Sequence, residues 1–354
     1  MKVLLSSYRN PHFITITEYI ESAFNRVGCQ TLFFDNRAFI IPGRIRDRIP
    51  YLNKLDLKMI NRKLISVINS FKPDLFLEAG GHRILPETVN QIKKDGIKAA
   101  LWTIDLPRDF AAIKKAAPHY DFVFTGGSEA YDILKEMGIK NLHWLPFACD
   151  PDFHKPVKLT DKERRNYSSD VCFVGSGWEK LYSNRRRLLE NLIDLNLGIW
   201  GPGWETLPDD SPLKKFVRGK HTRPEEWIKI YSASKIAVCI HYHDPSGKVP
   251  CYQASPRVYE VLACGAFLMV DAQRDVLTLF KDREELVVFR DIDELRRLLQ
   301  YYLKRPEERK KIAENGRKTV LNGHTYRHRV EEILRITELL VPQDPHDEPV
   351  KRLL

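Results

Sequence analysis

Short apolar, β-branched or aromatic runs recur along this chain, separated by amphipathic stretches of helical period, which is the rhythm of a parallel sheet covered on both faces. In the first part the runs lie at residues 2–5, 31–34, 75–77, 99–103, 122–124 and 141–144. Helical patterns separate them at 14–26, 57–71, 86–95, 111–116 and 128–137, the last with Ser128 where an N-cap would stand and Gly138 where the helix would stop. Three prolines break the period between residues 145 and 156, and a charged stretch follows to Asp170. The rhythm resumes with runs at 170–175, 197–200, 236–240, 266–270 and 286–289, and helical patterns at 184–195, 224–232, 256–264, 292–303 and 306–321. This implies an α/β architecture of two doubly wound, Rossmann-like domains, at residues 1–150 and 170–325, joined by a linker at 151–169. Residues 326–354 would add a C-terminal helix and tail packed back on the first domain. Ligands of such sheets sit beyond the C-terminal strand ends, so two facing domains enclose a cleft.

A length of 354 residues suits two domains with separate cores, and 43% hydrophobic with 29% charged residues excludes a disordered or low-complexity chain. Lysine and arginine number 57 against 47 acidic residues, a net charge of +10. That excess is spread without blocks of like charge, so it fits a phosphate-bearing ligand, nucleic acid or anionic lipid equally. Six cysteines without a CxxC pair suit small buried hydrophobes in a reducing compartment rather than zinc ligands or a disulfide framework. The N-terminal apolar run is too short for a signal peptide, and no apolar stretch reaches the roughly 18 residues of a membrane span. A cytoplasmic protein is expected, at most peripheral to the inner face of the membrane.

The most informative segment runs from Ala254 to Asp271. Ser255 stands at an N-cap and Pro256 at the first helical position, so the helix would open with free N–H groups, and Arg257 adds a full positive charge suited to a diphosphate. Glu260, one turn inward, would accept hydrogen bonds from ribose hydroxyls; an ordinary capped helix with a surface Arg and Glu fits the same pattern. Gly175-Ser176-Gly177 follows a strand, and Arg185 beyond it would reach the same anion, leaving Arg186 and Arg187 as a solvated basic face. His221 precedes the helix at Pro224, and Trp200-Gly201-Pro202-Gly203 is a turn after a strand. In the first domain Asp105 ends a buried strand, placed either to deprotonate a substrate hydroxyl or to cap the helix or loop after the strand. His82, after Gly80-Gly81, and His12 are further candidates, and Gly126-Gly127 would admit close approach of substrate or of the other domain. His241-Tyr242-His243-Asp244 is expected to hold no metal, because alternating residues at a strand end point to opposite faces. Residues 44–63 mix Arg and Lys with Ile, Leu and Tyr, which suits either a solvated helix face or contact with an anionic membrane.

The segment from Ala254 resembles the nucleotide-sugar signature of GT-B glycosyltransferases, and its Arg257-x-x-Glu260 helix is closest to the CgeB-like branch. Trp102-x-x-Asp105-x-Pro107 resembles that branch's Trp-x-x-Asp-x-Pro element, residues 144–151 its domain linker, and Phe173-Val174-Gly175-Ser176 its first donor-domain loop. His324-Thr325-Tyr326-x-x-Arg329 resembles its closing motif. Through the same resemblance Lys180 corresponds to a lysine common after the first loop, Trp200-Gly201 to the loop beside the base, and His221 to the region flanking base and diphosphate. Residues 44–63 resemble the surface by which some of these enzymes meet anionic membranes. Many retaining members carry two glutamates eight positions apart; here Tyr252 occupies the first position, so their retaining mechanism is not carried over.

The resemblance implies a hexosyltransferase-type enzyme of GT-B fold. It would move a sugar from a UDP-, GDP- or dTDP-sugar to a hydroxyl of a glycan, lipid-linked or protein acceptor, with no metal or other cofactor. Two alternatives share the fold: a nucleotide-sugar epimerase and a catalytically silent nucleotide-sugar or glycan-binding module. Nucleic acid is not an expected partner, because no recognition-helix, zinc-finger or RNP-like pattern is present.

Overall fold

The computed structural model describes residues 1–10, 14–46, 48–105, 110–220, 223–244 and 246–339. The first half runs β1 (Lys2–Ser7), α1 (Ile16–Arg26), β2 (Gln30–Asp35), α2 (Gly43–Arg46), α3 (Pro50–Phe71), β3 (Leu75–Ala79), α4 (Pro86–Lys94), β4 (Lys98–Thr103), α5 (Ala111–Ala116), β5 (Phe122–Thr125), α6 (Ser128–Glu136) and β6 (Leu142–Trp144). After α7 (Asp161–Tyr167) the second half runs β7 (Val171–Val174), α8 (Glu179–Glu190), β8 (Leu197–Trp200), β9 (Val217–Gly219), α9 (Pro224–Ala233), β10 (Ile236–Cys239), α10 (Pro256–Ala263), β11 (Leu268–Asp271), α11 (Arg274–Leu279) and β12 (Val287–Phe289). Helices α12 (Ile292–Leu303), α13 (Pro306–Gly323) and α14 (Tyr326–Ile336) follow.

Each half holds a six-stranded sheet, ordered β2-β1-β3-β4-β5-β6 and β12-β11-β10-β7-β8-β9, and every pairing within them is parallel. The period-2 alternation of a strand sends successive side chains to opposite faces. Val3 and Leu5 therefore enter the core on one face of the first sheet, and Leu4 the core on the other. Cys172 and Val174 divide from Val171 and Phe173 in the same way in the second sheet. Strand order turns at β1/β3 and at β7/β10, and crevices at strand C-termini open at such points.

The chain does not end where its second sheet ends. Tyr326, Val330 and Ile333 of α14 join the core of the first half, against Tyr19, Ile20 and Ala23 of α1. The buried Arg329 fastens this return, donating to the carbonyls of Pro146 at 2.7 Å and Phe147 at 3.0 Å. The halves also meet at α6 and α11. There the Ser128 N–H donates to Asp275 at 3.0 Å, and Arg274 bonds Asp132 at 2.7 Å.

Several local expectations change. Gly127, not Ser128, is the N-cap of α6, and the Ser128 hydroxyl goes to Asp275 instead. Helix α3 begins at Pro50, seven residues before the apolar period becomes regular. Helix α7 lies in the expected linker; a Thr160/Glu163 capping box starts it and none of its residues is buried, so it has no apolar stripe to betray it. No described helix is long and apolar enough to cross a membrane.

Candidate active site

Two cavities open at the two points where strand order turns. One, of about 330 Å³, lies beyond β7 and β10 and is lined by Gly175, Ser176, Tyr182, Arg185, Trp227, Ser255, Pro256, Arg257 and Glu260, with Tyr19 from the first half. The other, of about 170 Å³, lies beyond β1, β3 and β4 and is lined by Ser7, Asn36, Arg37, Gly81, His82, Arg83 and Asp105. Thr15 and Ile16, at the start of α1, line both, so the cavities adjoin.

Helix α10 is aimed at the larger cavity by a relay of side chains. Ser255 has extended backbone at the N-cap, and Pro256 takes the first helical position, where its missing N–H costs nothing. The Ser255 hydroxyl makes no capping bond; its N–H donates to His241 Nε2 at 3.0 Å. His241 must therefore carry its proton on Nδ1, which donates to Asp271 Oδ1 at 2.7 Å. His243 reaches the other carboxylate oxygen at 2.8 Å. Burial alone would raise the Asp271 carboxyl, but His241 and His243 hold it far below the usual carboxylate range. The two histidines thus converge on one carboxylate rather than pointing apart. Strand β10 ends at Cys239, so its alternation no longer governs them.

Two arginines face this cavity without a carboxylate in ion-pair contact among the described residues. Arg257 lies over the Trp227 ring, 4.4 Å from its centroid, and donates to the Tyr231 hydroxyl at 3.2 Å. Arg185 stacks on Tyr182 at 3.8 Å and donates to the carbonyls of Ile240 and Ser176 at 2.9 and 3.0 Å. Burial lowers the Arg185 pKa from its ordinary value, against the weaker opposing effects of Tyr182, Cys239 and Asp271. Beside them the N-terminal end of α10 adds the Arg257 N–H and a partial positive charge, the Val258 N–H being taken by the Ser255 carbonyl. The arrangement is that of an anion site.

The smaller cavity is built from paired charges. His82 Nε2 and Asp105 Oδ2 lie 2.8 Å apart, and that hydrogen bond, against the opposing effect of burial, raises the His82 pKa above its ordinary value. Arg83 bonds the buried Asp56 at 3.1 Å and the Asn36 carbonyl at 2.7 Å. Beneath the Gly80-Gly81 turn, burial pushes the Glu78 carboxyl up to about 7 despite the hydrogen bond from Tyr120. Asp105, half exposed, keeps one face toward the cavity.

Known proteins show the same architecture. Residues 184–335 match the family model described as glycosyl transferase-like. The spore protein CgeB of Bacillus subtilis (strain 168) is 22% identical over 275 residues, covering 73% of this chain and 81% of the relative. Sucrose-phosphate synthase from Thermosynechococcus elongatus superposes with a TM-score of 0.67 at 14% identity, over 95% of this chain and 98% of the other. Anabaena HepE, in complex with UDP and glucose, superposes with a TM-score of 0.66 at 11% identity, over 96% of this chain and all of the other. The fold is GT-B.

Within the GT-B cleft the expected residues separate into those that line it and those that support it. Gly175, Ser176, Arg185, Ser255, Pro256, Arg257 and Glu260 line the larger cavity, and Gly81, His82 and Asp105 the smaller. Lys180 is exposed and lines neither. Trp200 is buried in the core, with Arg218 over its ring at 5.5 Å, rather than open to a ligand. Gly201 supports the cavity floor: at φ +134°, a Cβ there would lie 2.3 Å from the Gly175 carbonyl oxygen. Gly177 is filled by the Trp204 indole. Arg186, expected in solvent, is buried and bonds Gly177 and Gly203 carbonyls, because adjacent helical residues diverge by about 100°. Gly126 of the first half faces Gln253 of the second, whose amide donates to the Ile104 carbonyl at 3.4 Å, and Gly127 lies against Glu129; neither glycine lines either of these two cavities. His12, His221 and Pro107 lie outside the described residues.

Several contributors escaped sequence reasoning, Tyr182 under Arg185 and the Arg83–Asp56 pair among them. Trp227 and Tyr231 share one face of α9 at i, i+4, a spacing that reads equally as core. Tyr19 lines the cavity, and His154 lies buried behind it, only through the packing of α1 and the linker.

Proposed function

We propose that this chain transfers a sugar from a nucleoside-diphosphate sugar to an acceptor hydroxyl, with the donor in the larger cavity and the acceptor in the smaller. The observation that carries this reading is the junction of an anion site with the His82–Asp105 pair at Thr15 and Ile16. Arg257, Arg185 and the α10 N-terminus would hold the diphosphate and neutralise the charge that grows on it as the glycosidic bond breaks. They supply positive charge of the kind a divalent cation supplies elsewhere, which supports a metal-independent reaction. Glu260 would accept from the ribose hydroxyls. Asp105, oriented by His82, would take the proton of the acceptor hydroxyl as its oxygen attacks the anomeric carbon. HepE in complex with UDP and glucose, and the Escherichia coli trehalose-6-phosphate protein bound with UDP-2-fluoro glucose, support a uridine nucleotide as the first donor to test.

The acceptor side also favours a membrane-linked substrate. Phe39, Ile40, Ile45, Ile49 and Tyr51 are all exposed, Tyr51 by 70%, among Arg37, Arg44, Arg48 and Lys54. Such a basic apolar patch suits an anionic bilayer, and Phe39 carries Arg83 of the smaller cavity over its ring at 4.4 Å. Cosedimentation with phosphatidylglycerol but not phosphatidylcholine vesicles is the expected result; equal recovery with both removes membrane contact.

Calorimetry with UDP-, GDP- and dTDP-sugars tests the donor assignment. Binding of one nucleotide class is expected, weakened by Arg257→Ala and by Glu260→Ala. An absence of binding, or parental affinity in both variants, refutes it. Donor turnover that needs no acceptor would support an epimerase instead.

A further inference from the structure

Three polar groups meet where α1, the linker and α10 converge, and none is hydrogen-bonded to another. The Tyr19 hydroxyl and His154 Nε2 are both buried without a partner, and no described residue donates a hydrogen bond to the Glu260 carboxylate. His154 Nδ1 accepts the Asp150 N–H at 3.0 Å, so the imidazole proton resides on Nε2. That Nε2 lies 3.9 Å from Glu260 Oε1, about 1 Å beyond hydrogen-bond length. The Tyr19 ring packs edge-on against His154, with centroids 4.9 Å apart, and against Phe153 and Tyr326 at 5.6 and 5.8 Å. Its ring is therefore held in place, and burial followed by the charge of Glu260 raises its pKa.

A buried donor without a partner is costly. Two such donors beside one unpaired carboxylate lose that cost together if the gap closes slightly. Tyr19 belongs to the first half, His154 to the linker and Glu260 to the second half, so drawing the halves together would close the gap. We infer that Tyr19 and His154 are positioning residues for Glu260, donating to its carboxylate on closure and orienting its free lone pairs toward the vicinal diol of the donor ribose. This rests on the donor assignment made above. The ribose pocket is thereby completed by the acceptor half and the linker, and donor occupancy is coupled to closure.

The test is calorimetry on the full chain with UDP or GDP, whichever the parent binds, and with the matching 2′-deoxy nucleotide, alongside thermal melting of the ligand-free protein. Tyr19→Phe keeps the ring and removes a hydroxyl that has no partner. Its melting temperature should equal or exceed the parental one while nucleotide affinity falls about tenfold, the effect of one hydrogen bond to a charged group. The loss should be smaller for the 2′-deoxy nucleotide, which lacks one of the hydroxyls Glu260 would hold. His154→Gln, which can still donate, should retain more affinity than His154→Leu. Parental affinity in Tyr19→Phe while Glu260→Ala binds weakly overturns the inference and leaves the donor assignment standing. Early melting of Tyr19→Phe with equal losses for both nucleotides also overturns it, as a structural effect. If Glu260→Ala binds as the parent does, the donor assignment itself fails.

Discussion

The two strand-end crevices differ in how their charges are met. On the second-half side Arg185 and Arg257 are partnered by backbone carbonyls and a tyrosine hydroxyl, with no carboxylate in contact. On the first-half side Arg83 is held by Asp56 and His82 by Asp105, and only Arg37 at the rim has no acidic partner among the described residues. One crevice is short of negative charge and the other is largely neutralised from within. The proposed transfer would use that division: a diphosphate would supply the missing charge on one side, and Asp105 would take the acceptor proton on the other. Similar sheets and similar topological positions thus yield opposite chemistry, because the difference lies in a few loop residues.

The largest effect should come from the proton-accepting side. Asp105→Asn is expected to lower transfer by roughly 10²- to 10⁴-fold, the usual contribution of a general base, and a fall of only a few-fold would remove Asp105 from that role. Next, Arg257→Ala should weaken donor binding by about ten- to a hundredfold, as expected for lost charge-assisted hydrogen bonds. Raising salt from low to molar levels should reduce parental affinity more than that of Arg257→Ala, since the variant has one charge fewer to screen. A smaller but structural effect should follow from Gly201→Ala. At φ +134° and 2.3 Å from the Gly175 carbonyl oxygen, the added methyl forces the loop under Gly175 to move. A loss of about 1–3 kcal/mol in denaturant unfolding is expected, with donor affinity falling alongside; unchanged stability would show that the two loops are not interlocked.

The His82–Asp105 pair gives a signed pH prediction. The pair raises the pKa of His82, so its contribution to stability is fully present below the pH where an unfolded histidine titrates, and is lost as pH rises through the higher folded value. In Asp105→Asn the raising partner is gone. The His82 midpoint, followed by NMR of the imidazole, should move down, and an upward or absent shift would contradict the pairing. Smallest of all, Asp132→Ala removes the pair with Arg274, in which both side chains are nearly half exposed, and leaves Arg274 its bond to the Ser128 hydroxyl. It should cost about 1 kcal/mol or less.

The alternation of buried runs with helices revealed both sheets, because parallel strands covered on two faces leave an unbroken apolar signature. What escaped was short, edge-placed or solvated. Strand β9 has three residues and pairs only with β8, across a register shift, and α7 buries nothing. The α10 end of the site was legible because Ser255, Pro256, Arg257 and Glu260 are local to one another. Tyr19, His154 and Glu260 are not: they meet only after the linker and α14 return the chain to the first half. The buried role of Arg186 and the convergence of His241 with His243 also depend on where α8 turns and β10 stops, which periodicity does not resolve.

The division of labour between the crevices is tested most directly by one paired measurement on Asp105→Asn. Donor affinity is read by calorimetry, and transfer of radiolabelled sugar into a membrane and glycan extract is read in parallel. The division predicts near-parental donor affinity with transfer lost by at least a hundredfold, within the range for a general base. Parental transfer, or donor affinity that falls in step with transfer, would contradict it.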